Sequence, residues 1–171
     1  MSTNPAPLDQ IDLALLTALT EHPRAGDLEL SRLTKVARAT VQSRLRRLQE
    51  AGVIGGWGPT IDVAAAGFPV QAFVTLEISQ GALDEVSSDL EAIPQVLEAY
   101  VTTGSSDVLC RVATRSHPEL QATLVRINKS PSVVRSTSVM VLSVRVPPRV
   151  LPLLRSAELD PVSRSPAYRR S

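Results

Sequence analysis

The strongest constraint on this chain's fold lies at "AAAGFP", residues 64–69, where the period of its hydrophobic residues changes. Upstream, Ile11, Leu15, Ala18 and Leu19 recur at helical spacing, as do Val41, Leu45 and Leu48; such residues line one face of a 3.6-residue turn. Downstream, "VQAFVTLEIS" (70–79) follows period 2, which sends alternate side chains to opposite faces of a strand. A helical domain therefore gives way to one built on a sheet. With 171 residues, 43% of them hydrophobic, the chain has the length for two small domains and the apolar content to fill them. The boundaries fall at 1–58 for the first domain, 59–67 for a linker, 68–146 for the second domain, and 147–171 for a Pro/Arg-rich tail expected to be largely disordered.

Within the first domain, Asp9 is an N-cap candidate, with Leu8 and Leu13 placed for a hydrophobic staple, and Pro23 and Gly26 close the helix. Asp27 is positioned to cap a short second helix, "LELSRLTK". A third runs from about Arg38 to Ala51 and stops at Gly52. Holding Val41, Leu45 and Leu48 inward turns Gln42, Ser43, Arg46 and Arg47 outward and leaves Arg44 near the boundary. "VIGGWGPTI" (53–61) then reads as a short β-wing or linker strand anchored by Ile54, Trp57 and Ile61.

In the second domain a helix from about Ala82 to Ala92 follows the first strand. "QVLEAYVTT" and "DVLCRVATR" are strands, "SHPELQATLVRINKS" is a helix with a Ser116–Glu119 capping box, and "SVVRSTSVMVLSVRV" (132–146) is a last long strand. The order βαββαβ is that of a ferredoxin-like α+β sandwich. Both faces of this sheet carry apolar residues, yet two helices cover only one. The other face, with Phe73 as first candidate, calls for a second copy of the chain. A short helix is expected around Val150 to Ser156.

A net charge of +1 conceals a strong local bias: Arg32, Lys35, Arg38, Arg44, Arg46 and Arg47 lie in a stretch without one acid. A solvated helix face mixes signs, and this one does not. A helix in the major groove needs cations beside phosphates and hydrogen-bonding side chains in its N-terminal half. Thr40, Gln42 and Ser43 suit base edges; Lys35, Arg38, Arg44, Arg46 and Arg47 suit backbone or guanine. Other classes find less support. The single Cys110 excludes an internal disulfide and a cysteine metal site within one chain and reads as a buried structural thiol. His22 and His117 stand beside neither a nucleophile nor a carboxylate pair, so no catalytic residues, metal site or cofactor are expected. No run is long enough to span a bilayer and the first ten residues lack signal-peptide character, which makes the expected location cytoplasmic, with no membrane partner.

Three helices ending in "RLRRLQEAGVIGGW", a βαββαβ domain, and "VTTGSSDVLCRV" between its middle strands together resemble the leucine-responsive regulator (Lrp/AsnC) family of transcription factors. The likeness runs from about Leu8 to Val146. It implies an N-terminal winged helix-turn-helix that binds double-stranded DNA. It also implies a C-terminal ferredoxin-like (RAM, or effector) domain that forms a homodimer, assembles into larger rings such as an octamer, and binds a small effector, commonly an amino acid. The chain departs from the family where Gly and then Ser are usual before the third helix, having Lys35 and Ala37 instead. The missing N-cap hydroxyl costs about 1 kcal/mol.

At "TTGSSD" two readings stand. One is a hairpin connection that needs Gly104 for its positive φ and polar residues to bond the turn. The other is an effector site in which the N–H groups of Ser105 and Ser106 face a carboxylate and Asp107 receives an ammonium group. Two further alternatives remain: a DNA-binding or assembly protein that needs no effector, and an enzyme like certain haem-pathway decarboxylases with the same two-domain arrangement. The latter would require histidines or arginines aimed into a tetrapyrrole pocket, and this sheet domain offers few.

Overall fold

Asp9 opens α1 (Gln10–Glu21) by accepting the Asp12 N–H at 2.9 Å, and Asp12 reciprocates by accepting the Asp9 N–H at 3.0 Å. This box satisfies two donors that a helix start leaves open. The structure is a computed structural model that describes residues 8–157, so the expected disordered tail beyond Ala157 lies outside the described residues. These fall into two units, 8–58 with 147–157, and 59–146.

In the helical unit α2 spans Asp27–Thr34 and α3 spans Arg38–Glu50. Leu15, Ala18, Leu30, Val41 and Leu45 form its core, against which Ile11, Leu19 and Ile54 pack. The cap of α2 differs from expectation: Gly26 is the N-cap, and Asp27 is the first helical residue. There it still faces the positive end of the helix dipole. Lys35 ends α2 at φ 57°, ψ 32°, a left-handed conformation that costs a residue with a Cβ roughly 1 kcal/mol. The turn is held by the Val36 N–H on the Ser31 carbonyl and the Ser31 hydroxyl on the Val36 carbonyl, at 3.2 and 2.6 Å. Ala37 then starts α3 with no side-chain cap. Its far end closes regularly: Gly52, at φ 71°, lets the Val53 N–H reach the Leu48 carbonyl at 2.9 Å.

No strand forms in residues 53–61, contrary to the expected wing. Gly55, Gly56, Gly58 and Pro59 weaken any ladder there, and Trp57 and Ile61 are exposed. The expected short C-terminal helix forms as α6 (Leu151–Ser156), packs on α1, and belongs to the helical unit rather than to a free tail.

The second unit contains β1 (Val70–Ile78), α4 (Leu83–Glu91), β2 (Val96–Val101), β3 (Val108–Thr114), α5 (His117–Ile127) and β4 (Val133–Met140). The sheet order is β2-β3-β1-β4 with every pair antiparallel, the ferredoxin-like arrangement. Ala72, Val74, Leu76, Val108, Cys110 and Val112 form its inner face against Val86, Leu90, Leu120 and Ile127 of the helices, and each large buried side chain contributes roughly 1.5–3 kcal/mol. Burial pushes the Cys110 thiol up to about 11, which leaves it inert at neutral pH. Ser116 caps α5 through the Glu119 N–H, but Glu119 reaches back to the Arg115 N–H, one residue earlier than a reciprocal box requires. The last strand is shorter than expected. Met140 pairs with Ala72 and the Val141 N–H still reaches the Gln71 carbonyl, where the ladder stops, one residue short of the start of β1 at Val70. Leu142, Val144 and Val146 consequently extend without a ladder, all exposed.

Candidate functional site

Helix α3 presents its polar side as the apolar register demands. Lys35 in the preceding turn, and Arg38, Gln42, Ser43 and Arg46 on the helix, are exposed, with Thr40 half-buried among them. The Ser43 hydroxyl donates to the Thr40 carbonyl at 3.0 Å, and the Gln42 amide nitrogen donates to Asp27 at 2.7 Å. Gln42 is thus tethered to α2, and a bidentate base contact would have to share or replace that bond.

Two arginines that the sequence offers to DNA are turned elsewhere. Arg44 Nη1 donates to both carboxylate oxygens of Asp9 at 2.7 Å and to Asp12 Oδ1 at 2.9 Å, and Arg47 Nη2 donates to Asp12 Oδ2. Asp12 is completely buried. Burial alone would raise the pKa of Asp9, but the Asp12 N–H and the Arg44 guanidinium more than offset it and hold Asp9 below the usual carboxylate range. Burial likewise opposes the charge on Arg44, and its bonds to Asp9 and Asp12 win, raising its pKa. Arg44, with a side chain 18% exposed, is therefore an internal ion-pair residue. The sequence signal for this was an acid on the buried stripe of α1: Asp12 precedes Leu15 by three positions and Leu19 by seven.

On the second unit, the sheet face without helices carries Phe73 and Val139 in one cross-strand row with Arg111 and Glu98, and Leu109 and Tyr100 in the next row, level with Thr75. Beside them Tyr100 and Arg111 both donate to Glu98, at 2.8 and 2.6 Å. The Tyr100 bond, against the effect of burial and with Arg111 assisting, holds Glu98 below its ordinary range. Toward one end the face is polar: Thr75 pairs with Thr137 and Glu77 with Arg135 across β1 and β4. These four, with Ser105 and Ser106, line a cavity of about 330 Å³. Glu77 and Arg135 are register partners of opposite charge, yet neither makes an ion pair among the described residues.

The "TTGSSD" turn reaches this cavity only in part. Gly104 has φ 112°, as such a turn requires, but does not line it. Asp107 is committed to the fold: its Oδ2 accepts the Ile78 N–H at 2.8 Å, its own N–H donates to Leu76, and its carbonyl accepts from Thr102. Glu77, Arg135, Thr75 and Thr137 meet the turn only through strand pairing, which spacing along the sequence does not show. His22 and His117 are exposed at opposite kinds of helix end, and among the described residues no group of three or more His, Cys, Asp or Glu could hold a metal. No helix among them is long and apolar enough to cross a membrane.

A helix-turn-helix joined to a ferredoxin-like sheet domain defines a DNA-binding regulator of transcription that carries a sensor domain. The chain belongs to the Lrp/AsnC family: the winged helix-turn-helix DNA-binding profile matches residues 8–54, and the Lrp/AsnC ligand binding domain matches residues 71–151. It is 33% identical over 147 residues to the HTH-type transcriptional regulator FL11 of Pyrococcus horikoshii, covering 86% of this chain and 97% of that protein. It is also 33% identical over 138 residues to the regulator AldR of Mycolicibacterium smegmatis, covering 79% and 81% of the two chains. Among solved structures, AsnC of Escherichia coli superposes with a TM-score of 0.80 at 26% identity, covering 86% of this chain and all of that one.

Proposed function

We propose that this regulator binds duplex DNA as a homo-oligomer, with the N-terminal half of α3 in the major groove, and that a small zwitterion of the amino-acid class modulates it. The observation that carries the DNA reading is the division of labour on α3. Ser43 and Gln42 are exposed and Thr40 half-buried, which suits them to base edges once Gln42 shares its bond to Asp27. Exposed Lys35, Arg38 and Arg46 make no ion pair among the described residues, which suits them to phosphates. Arg46→Ala should flatten the log-log salt dependence of binding by about 0.9 per subunit. Fluorescence anisotropy of a labelled duplex at several salt concentrations measures this, and an unchanged slope would remove α3 from the groove.

The effector reading rests on Glu77 and Arg135, which line one cavity and make no ion pair among the described residues. Glu77 is placed to receive an ammonium group and Arg135, with the Ser105 and Ser106 segment, a carboxylate. Asp107, bound to Ile78, yields that role to Glu77. Calorimetry across the twenty amino acids, followed by DNA binding with any that bind, tests it; no heat with any of them supports an effector-independent regulator instead. The oligomer reading rests on Phe73, Tyr100 and Val139, all exposed on the helix-free face. Phe73→Asp should reduce the mass in light scattering and weaken DNA binding, because linked half-sites gain effective concentration. The same measurement distinguishes a dimer from an octamer. We read the protein as a regulator and not an enzyme.

A further inference from the structure

We propose that Asp12, which lies outside the recognition helix, is a positioning residue for DNA binding: it holds Arg47 off the phosphate backbone and so sets the strength and salt dependence of association. This rests on α3 lying in the groove. Asp9 and Asp12 face Arg44 and Arg47 as a closed set of two negative and two positive charges. Arg44 is fully committed, since one of its nitrogens already serves three carboxylate oxygens. Arg47 is the member that could go either way: its side chain is 39% exposed, on the same side of α3 as Thr40 and Ser43, with its guanidinium folded back onto Asp12.

Burial decides between the two partners. The Asp12 side chain has no exposed surface while Arg47 covers it, so a phosphate that drew Arg47 away would strip a buried carboxylate of one of its two cations. Asp12 would then share with Asp9 a single arginine. An uncompensated buried charge is costly, whereas a phosphate contact replaces counterions that water and salt screen already. Of the five cations that the sequence assigns to DNA, the structure therefore leaves Lys35, Arg38 and Arg46 free to act. Phosphate contacts supply affinity for any sequence, so the restraint keeps sequence-independent binding low and leaves base reading by Thr40 and Ser43 untouched.

The experiment measures binding of the full chain to a short random-sequence duplex between about 50 and 200 mM salt. Arg47→Met is expected to leave the log-log slope at the wild-type value. Asp12→Asn frees Arg47, so it should tighten binding several-fold at low salt and steepen the slope by about 0.9 per subunit. The double variant should return the slope to wild type. A flattened slope for Arg47→Met would show that Arg47 already contacts phosphate and would overturn the proposal. So would an unchanged slope for Asp12→Asn with a native circular dichroism spectrum. Should Asp12→Asn fail to fold, the Arg47→Met measurement decides alone. An unchanged slope for Arg46→Ala would overturn the placement of α3, and the restraint with it.

Discussion

In the helical unit two acids and two arginines close on one another, whereas in the sheet unit Glu77 and Arg135 stand opposite across two strands and do not pair. The first arrangement fixes α3 on α1 and withdraws charge from the surface. The second leaves both charges lining a cavity, where we propose that a ligand carrying the complementary pair binds. Burial separates the two arrangements: Asp12 has no access to water, while Arg135 is exposed and Glu77 half-buried.

The largest effect is expected at Asp12. Asp12→Ala should destabilise the helical unit by about 2–3 kcal/mol, less than a fully buried pair would lose because Arg47 can extend into water. Trp57, the one tryptophan and part of that unit, reports the transition by fluorescence during urea unfolding. Glu77→Gln should leave stability within about 0.5 kcal/mol and instead weaken zwitterion binding by roughly 2 kcal/mol, read by calorimetry. If Glu77→Gln destabilises as much as Asp12→Ala does, the two charge sets are alike and both are structural.

A smaller effect depends on pH. The Asp9 carboxyl is held below its ordinary value, so its contribution is fully present above the unfolded pKa of about 3.9 and is lost as pH falls through the lowered folded value. Asp9→Asn should therefore lower stability by about 1 kcal/mol at neutral pH, and its melting temperature should converge on wild type in acid. Smallest are the changes in the turn before α3. Ala37→Ser should stabilise the helical unit by about 1 kcal/mol by supplying the missing cap. Lys35→Gly should add about 0.5 kcal/mol by relieving the left-handed backbone, with thermal denaturation reading both.

What the sequence determined alone is what depends on neighbours along the chain. The spacing of Val41, Leu45 and Leu48 orients α3, Asp9 and Ser116 cap helices within three residues, and period 2 from Val70 marks a strand. The cation-rich face of α3 was legible for the same reason, because a helix turns every residue through a known angle. The partner of each charge was not. Arg44 and Asp12 are 32 positions apart, and only the packing of α3 against α1 brings them within 2.9 Å. Tertiary structure also assigned the two acids around the turn, placing Asp107 under the Ile78 N–H and Glu77 beside Ser105 and Ser106. It likewise ended β4 at Met140, within two residues of the point where β1 itself begins and no strand can pair further. Periodicity is a property of local geometry, which the chain encodes residue by residue. Which charges meet, and which are left for a ligand, is a property of distances that exist only once the elements have packed.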